Sequence, residues 1–157
     1  MQDHNGLRAV FDLPVMQIPG IGPKAKVQNK IDSRALLRAL RDACPAADGR
    51  PAAVIEAVGT MGGKNNAVQT QGSLLRTLGA VESVLECLGW PPEYVQPQTW
   101  KRHFGLIDAD LKPTQRKRKA LECARRLYPA CTDIGLAKHH NRAESVLIGR
   151  WLLKDRA

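Results

Sequence analysis

Residues 51–59 read Pro51-Ala52-Ala53-Val54-Ile55-Glu56-Ala57-Val58-Gly59. Val54, Ile55 and Val58 make this a short buried strand with one acid, Glu56, set in it. A carboxylate withdrawn from water without a partner costs several kcal/mol, so it must be paired, protonated or bound to a metal. Glu56 falls near the carboxyl end of the strand, just before the glycine-containing loop Gly59–Ala67. Sites in open α/β sheets collect at such strand ends. An edge-strand glutamate facing water accounts for the segment equally well.

Downstream, Leu74, Leu75, Leu78, Val81, Val84, Leu85 and Leu88 recur at three and four, which predicts a long helix over residues 71–88. Its apolar stripe is broad enough to serve a core and a second subunit together. Gly89 and Pro91-Pro92 end it. A short strand follows at residues 94–96, then a helical turn at residues 98–104, in which Trp100 reads as core more readily than as a base-stacking side chain. Thr114 is the expected cap of a helix that carries Arg116, Lys117, Arg118 and Lys119 in a row. The last helix starts between Lys138 and Arg142 and runs to about Lys154.

Upstream, Leu7–Leu13 reads as a strand ended by Pro14, with Val15–Ile18 continuing past the kink. Asn5-Gly6 is hairpin-turn chemistry with only a few residues before it, so the sequence opens in the middle of a hairpin. Residues 19–23 read as a loop made basic by Lys24, Lys26 and Lys30. Asp32 or Ser33 caps a helix to about Ala43, with Leu36, Leu37 and Leu40 on its apolar face. The order of elements predicts one α/β domain over residues 1–157, a mixed sheet flanked by helices.

The 157 residues suit one domain with a proper core. Lysine and arginine outnumber aspartate and glutamate by 24 to 15. A net charge of +9 favours a polyanionic partner, nucleic acid before an anionic membrane. No apolar run reaches the length of a membrane span, and the first residues lack the pattern of a signal peptide. Cys44, Cys87, Cys123 and Cys131 are scattered with no C-x-x-C pair. They read as reduced thiols of a cytoplasmic protein rather than a disulfide framework or a zinc site.

The candidate chemistry lies in two places. On the last helix, His140 is four residues and Asn141 three residues before Glu144, so either shares a face with it. Glu56 and Glu144 supply the oxygen ligands that a hard cation such as Mg²⁺ takes, and two distant carboxylates in a basic protein suit metal-assisted phosphodiester hydrolysis. Taken singly, Glu144 reads as a surface carboxylate paired with Arg142 or Lys138, and His140 as an exposed histidine. Lys64, in the glycine-containing loop, and the Arg116–Lys119 run are candidates for phosphate contact, although a plain flexible loop accounts better for the first and a solvated helix face equally well for the second.

The segments VIEAVG, LLRTLGAVESVLECLGW, VQPQTWKRHFGL and KHHNRAESVLIGRWLL, in that order, resemble the RuvC-like Holliday junction resolvases of the phage and prophage branch. The resemblance runs from about Leu7 to Leu153. It implies a ribonuclease H-like fold and a homodimer that cuts branched DNA with Mg²⁺ or Mn²⁺. By that resemblance Glu56 matches the acid on the fourth strand and Glu144 the final acid of the last helix. The acid before it falls at Asn141 by spacing, with His140 the favoured substitute, so the implied metal ligands are Glu56, Glu144, His140 and Asn141. The first three of these carry catalysis. Lys64, Lys101, Arg102, Arg116, Lys117, Arg118 and Lys119 would bind DNA, and Met61 is a candidate apolar wedge at the junction. The family's first strand, with its aspartate, has no match here. Asp3 and Asp12 do not replace it. A start upstream of Met1 accounts for this most simply, and a DNA-binding relative without catalysis is the alternative.

Overall fold

The computed structural model describes residues 1–3, 6–20, 22, 26–45, 51–58 and 68–155. The chain is mixed α/β and divides into two compact units. One comprises Met1–Asp12, Val54–Ala57 and Glu93–Ala157; the other comprises Leu13–Ala53 and Val58–Pro92. The described strands form three two-stranded sheets, where the sequence predicts one mixed sheet.

The unit with the chain termini holds most of the buried apolar surface. Strand β1 (Gln2–Asp3) pairs antiparallel with β2 (Gly6–Leu7) through Gln2 opposite Leu7 and Asp3 opposite Gly6. The strand expected over Leu7–Leu13 therefore stops at Leu7. The next residues turn back instead: the amides of Arg8 and Ala9 both donate to the Met1 carbonyl, at 3.1 and 3.4 Å. Strand β5 (Ala53–Glu56) pairs with β6 (Pro92–Val95), and just past its end the Ala57 amide donates to the Val95 carbonyl at 2.8 Å. All four residues of β5 are half-buried rather than fully enclosed. Helices α3 (Pro97–His103), α4 (Pro113–Leu127) and α5 (His140–Asp155) complete the unit, with short 3₁₀ turns at Thr132–Ile134 and Ala137–His139.

Proline opens both α3 and α4, because its fixed φ and missing N–H suit the first helical position. That choice moves the start of α4 back from the expected cap: Lys112, not Thr114, is its N-cap residue. The Gln115 side chain closes this end by accepting from the Lys112 amide at 2.8 Å. Helix α3 stops at Gly105, whose φ of +63° is a left-handed conformation that glycine takes without a Cβ penalty. There the Leu106 amide donates back to the Lys101 carbonyl at 2.9 Å. Trp100, Ala124, Ile134, Ala143 and Leu147 are all at 0 % exposure in one core cluster, against which Val54 of β5 also packs.

The second unit is a hairpin and two helices. Strand β3 (Val15–Ile18) pairs antiparallel with β4 (Gln28–Ile31), Val15 opposite Ile31. Strand β4, Gln-Asn-Lys-Ile, was not expected as a strand. Helix α1 (Ser33–Ala43) starts as the sequence predicts: Asp32 is extended and accepts from the Ala35 amide at 3.0 Å. Helix α2 (Val68–Cys87) begins three residues before the expected Gln71 and ends in a left-handed glycine, Gly89. Ile31, Leu36 and Val84 form its buried core, with Leu37, Leu40, Ala80, Val81 and Leu88 around them. Leu74 and Leu75, counted in the predicted stripe, are exposed. No helix among the described residues is long and apolar enough to cross a membrane.

Candidate active site

Glu56 is the last residue of β5, and its carboxylate has a specific partner. The Trp100 indole Nε1–H donates to Glu56 Oε1 at 2.9 Å. The donor is fully buried, so this bond satisfies an N–H that has no access to water. The Lys101 ammonium lies 5.0 Å from the centroid of the Trp100 ring, in cation–π range. Glu56 is thus a half-buried acid on a strand of a two-stranded sheet, with the indole N–H as its partner.

Glu144 is half-buried one turn into α5. Burial, foremost, pushes its carboxyl above the usual range. The Lys101 ammonium opposes that, the Glu56 carboxylate adds to it, and His140 and Lys117 oppose it. Glu56 and Glu144 therefore lie within electrostatic reach of each other, in the same unit. Lys101 from α3, Lys117 from α4 and His140 from the start of α5 share their neighbourhood. The expected pairing of Glu144 with Arg142 is not made. Arg142 instead holds Asp12 with two hydrogen bonds, Nε to Oδ1 at 2.9 Å and Nη2 to Oδ2 at 2.7 Å. It also donates to the Asp133 carbonyl at 3.2 Å.

Asn141 is exposed and lines a polar depression with Asp12, Lys138, His139 and Arg142. Of the two residues expected to assist Glu144, His140 is the one whose charge acts on it. Among the described residues no three His, Cys, Asp or Glu side chains are grouped closely enough to form a metal cluster. The oxygen donor set at this point is the pair Glu56 and Glu144. Their mutual repulsion is of the kind a divalent cation relieves, and Mg²⁺ retains several waters when only one or two carboxylates hold it. The residues present fit a hard divalent ion in that limited sense.

The expected DNA-contact residues separate into groups. Lys101 and Lys117 act electrostatically on Glu144. Arg102 and Arg116 are exposed, and Arg116 Nη2 donates to the Ala109 carbonyl at 3.1 Å. Arg118 pairs with Glu122 at 2.9 Å and Lys119 with Asp108 at 3.5 Å, so part of the basic run is balanced by acids of the same unit. Lys64 and Met61 lie outside the described residues, as does the glycine-containing loop around them. The four cysteines are free thiols, with Cys123 buried.

Sequence reasoning missed two features. Trp100 was read as core, which it is, but its polar contact with Glu56 is the more informative fact. A tryptophan beside lysine in a chain of few aromatics was the available signal. Asp12 was assigned to a strand, and nothing in its local sequence points to a partner 130 residues away. No protein-family model and no curated protein matches this sequence.

Proposed function

We propose that the chain is a metal-dependent, structure-selective endonuclease that cleaves phosphodiester bonds in branched DNA such as Holliday junctions, with a ribonuclease H-like fold and a homodimeric working form. The observation that carries the reading is that Glu56 acts electrostatically on Glu144, as do Lys101, His140 and Lys117, in a protein of net charge +9. Glu56 and Glu144 would hold Mg²⁺ or Mn²⁺, with His140 beside them. A divalent ion so held supplies a more acidic water and stabilises charge on the leaving oxygen.

The chain's own residues do the rest. Lys101 and Lys117 attract a phosphate toward the acids and lower the cost of keeping Glu144 ionised. Trp100 Nε1–H fixes one oxygen of Glu56. Arg102 and Arg116, solvent-exposed on α3 and α4, extend the positive surface along which a DNA backbone would lie. The exposed Leu74 and Leu75 on α2 are apolar surface suited to a second copy.

The absence of a third ligating side chain among the described residues favours a second reading, a junction-binding protein that does not cut. A labelled four-way junction separates the two. With Mg²⁺ or Mn²⁺ the nuclease reading expects nicks near the branch point, lost with a chelator. It expects Glu56→Gln to abolish cutting while junction binding in a gel shift persists. Junction binding with no cleavage in either metal, by this chain and by one extended upstream of Met1, would overturn the nuclease and leave the binding protein. Full cleavage by Glu56→Gln would remove Glu56 from the mechanism.

A further inference from the structure

We propose that Trp100 is a positioning residue for Glu56: its indole N–H holds the carboxylate in the orientation in which it meets a divalent cation. The inference rests on the nuclease reading and deepens it, by naming how one of the two acids is held.

The geometry is one of nested constraint. The indole ring is fully enclosed, packed among the residues of the main core cluster. Its helix is set by Pro97 at one end and by the left-handed Gly105 at the other, where Leu106 donates back to Lys101. The ring therefore has no freedom to carry its N–H elsewhere. An indole is a donor only, and the single acceptor it meets is Glu56 Oε1 at 2.9 Å. Val54, two residues before Glu56 on the same face of β5, packs against the same cluster, so strand and donor are fixed by one core. A glutamate has three rotatable side-chain bonds, and a fixed donor on one oxygen restricts them before any ligand arrives. Buried donors to metal-holding carboxylates act in this way, and their loss typically weakens metal binding by about 10–100-fold.

A purely structural role for the N–H, satisfying a buried donor, makes a different prediction, and Mn²⁺ binding to the full chain distinguishes them. Two replacements are used: Trp100→Phe, and site-specific benzothienylalanine at position 100, which keeps the ring shape and puts sulfur where the N–H stands. Mn²⁺ affinity is read from the electron paramagnetic resonance of the free ion, and folding from the thermal unfolding midpoint. The expected result is an Mn²⁺ dissociation constant raised about 10–100-fold by the isostere, with the midpoint little changed. In a Glu56→Gln background the same replacement should alter Mn²⁺ affinity by less than about two-fold, since the tryptophan acts through that carboxylate.

Unchanged Mn²⁺ affinity in the isostere overturns the positioning role, and so does an equal loss in both backgrounds. If Glu56→Gln weakens Mn²⁺ binding and neither Trp100 replacement does, the nuclease reading stands and the role of Trp100 alone falls. If the wild-type chain binds no Mn²⁺, both fall.

Discussion

The two compact units of this chain differ in how much they bury. Among the described residues, the terminal unit has twelve buried residues in one cluster, including a tryptophan at zero exposure. In the hairpin–helix unit the cluster has three, Ile31, Leu36 and Val84, ringed by partly covered side chains, with Leu85 buried beside it in sequence. Large apolar groups remain exposed on both units: Phe11, Tyr94, Ile107, Leu127 and Leu136 on the first, and Leu13, Val15, Met16, Val27, Leu74 and Leu75 on the second. The acids Glu56 and Glu144 and the donor Trp100 all belong to the densely packed unit. A site that must hold charged groups in fixed orientation needs supporting side chains locked by packing.

That contrast can be broken by truncation. Leu147→Ala, in the terminal unit, should cost about 2–5 kcal/mol, since a fully enclosed side chain leaves a cavity that its neighbours cannot refill. Leu36→Ala should fall nearer the low end of that range, because its half-exposed neighbours Leu37, Leu40 and Val81 can relax into the space. Urea unfolding of both variants measures the difference, and a larger loss for Leu36→Ala would reverse the ranking.

A smaller effect sharpens the contrast within the dense unit. Burial and Glu56 hold the Glu144 carboxyl above its ordinary value despite Lys101, His140 and Lys117. A raised carboxyl is most favourable to the fold when protonated, so its contribution is full below the unfolded value and is lost as pH rises through the folded one. Glu144→Gln should therefore raise the midpoint by about 2 °C at neutral pH without divalent metal. The gain should vanish when the buffer is taken below about pH 4, where the wild-type acid is neutral in both states. A variant less stable than wild type at neutral pH would mean that Glu144 is held by favourable partners instead.

The smallest expected change is at the surface. Asp12 is held below the usual carboxylate range, first by its hydrogen bonds to Arg142. Its side chain is 72 % exposed. Exposed pairs contribute little, so Asp12→Asn should shift the midpoint by less than about 2 °C at neutral pH. What difference there is should fade on acidification, because a depressed carboxyl loses its contribution as pH falls through the folded value. Thermal melts across pH 3–7 check both statements.

Legibility in the sequence followed locality. Helix α1 was readable because Asp32 and the Leu36-Leu37-Leu40 spacing signal the same start and face. Glu56 at a strand end was readable because valine and isoleucine flank it. Strand β4 was hidden, since Gln28-Asn29-Lys30-Ile31 contributes one buried side chain and its pairing with β3 alone makes it a strand. Leu7–Leu13 erred the other way: its composition suits a strand, and from Arg8 onward no ladder partner is present among the described residues. The pairing of Glu56 with Glu144 was raised by their chemistry as oxygen ligands and strengthened by the family resemblance, with no local pattern to fix it. The bond from Trp100 to Glu56, 44 residues apart, has no signature in either local segment.

The clasp between Asp12 and Arg142 spans 130 residues, and the dense unit is assembled from three separated pieces of chain. During synthesis from the N-terminus, the hairpin and the two helices packed on it can collapse while translation continues. The other half must wait for α5, which bears both Arg142 and Glu144 and follows every other described element in chain order. The acidic pair is thus completed only after α5 has been made, and a shorter nascent chain carries Glu56 without its counterpart.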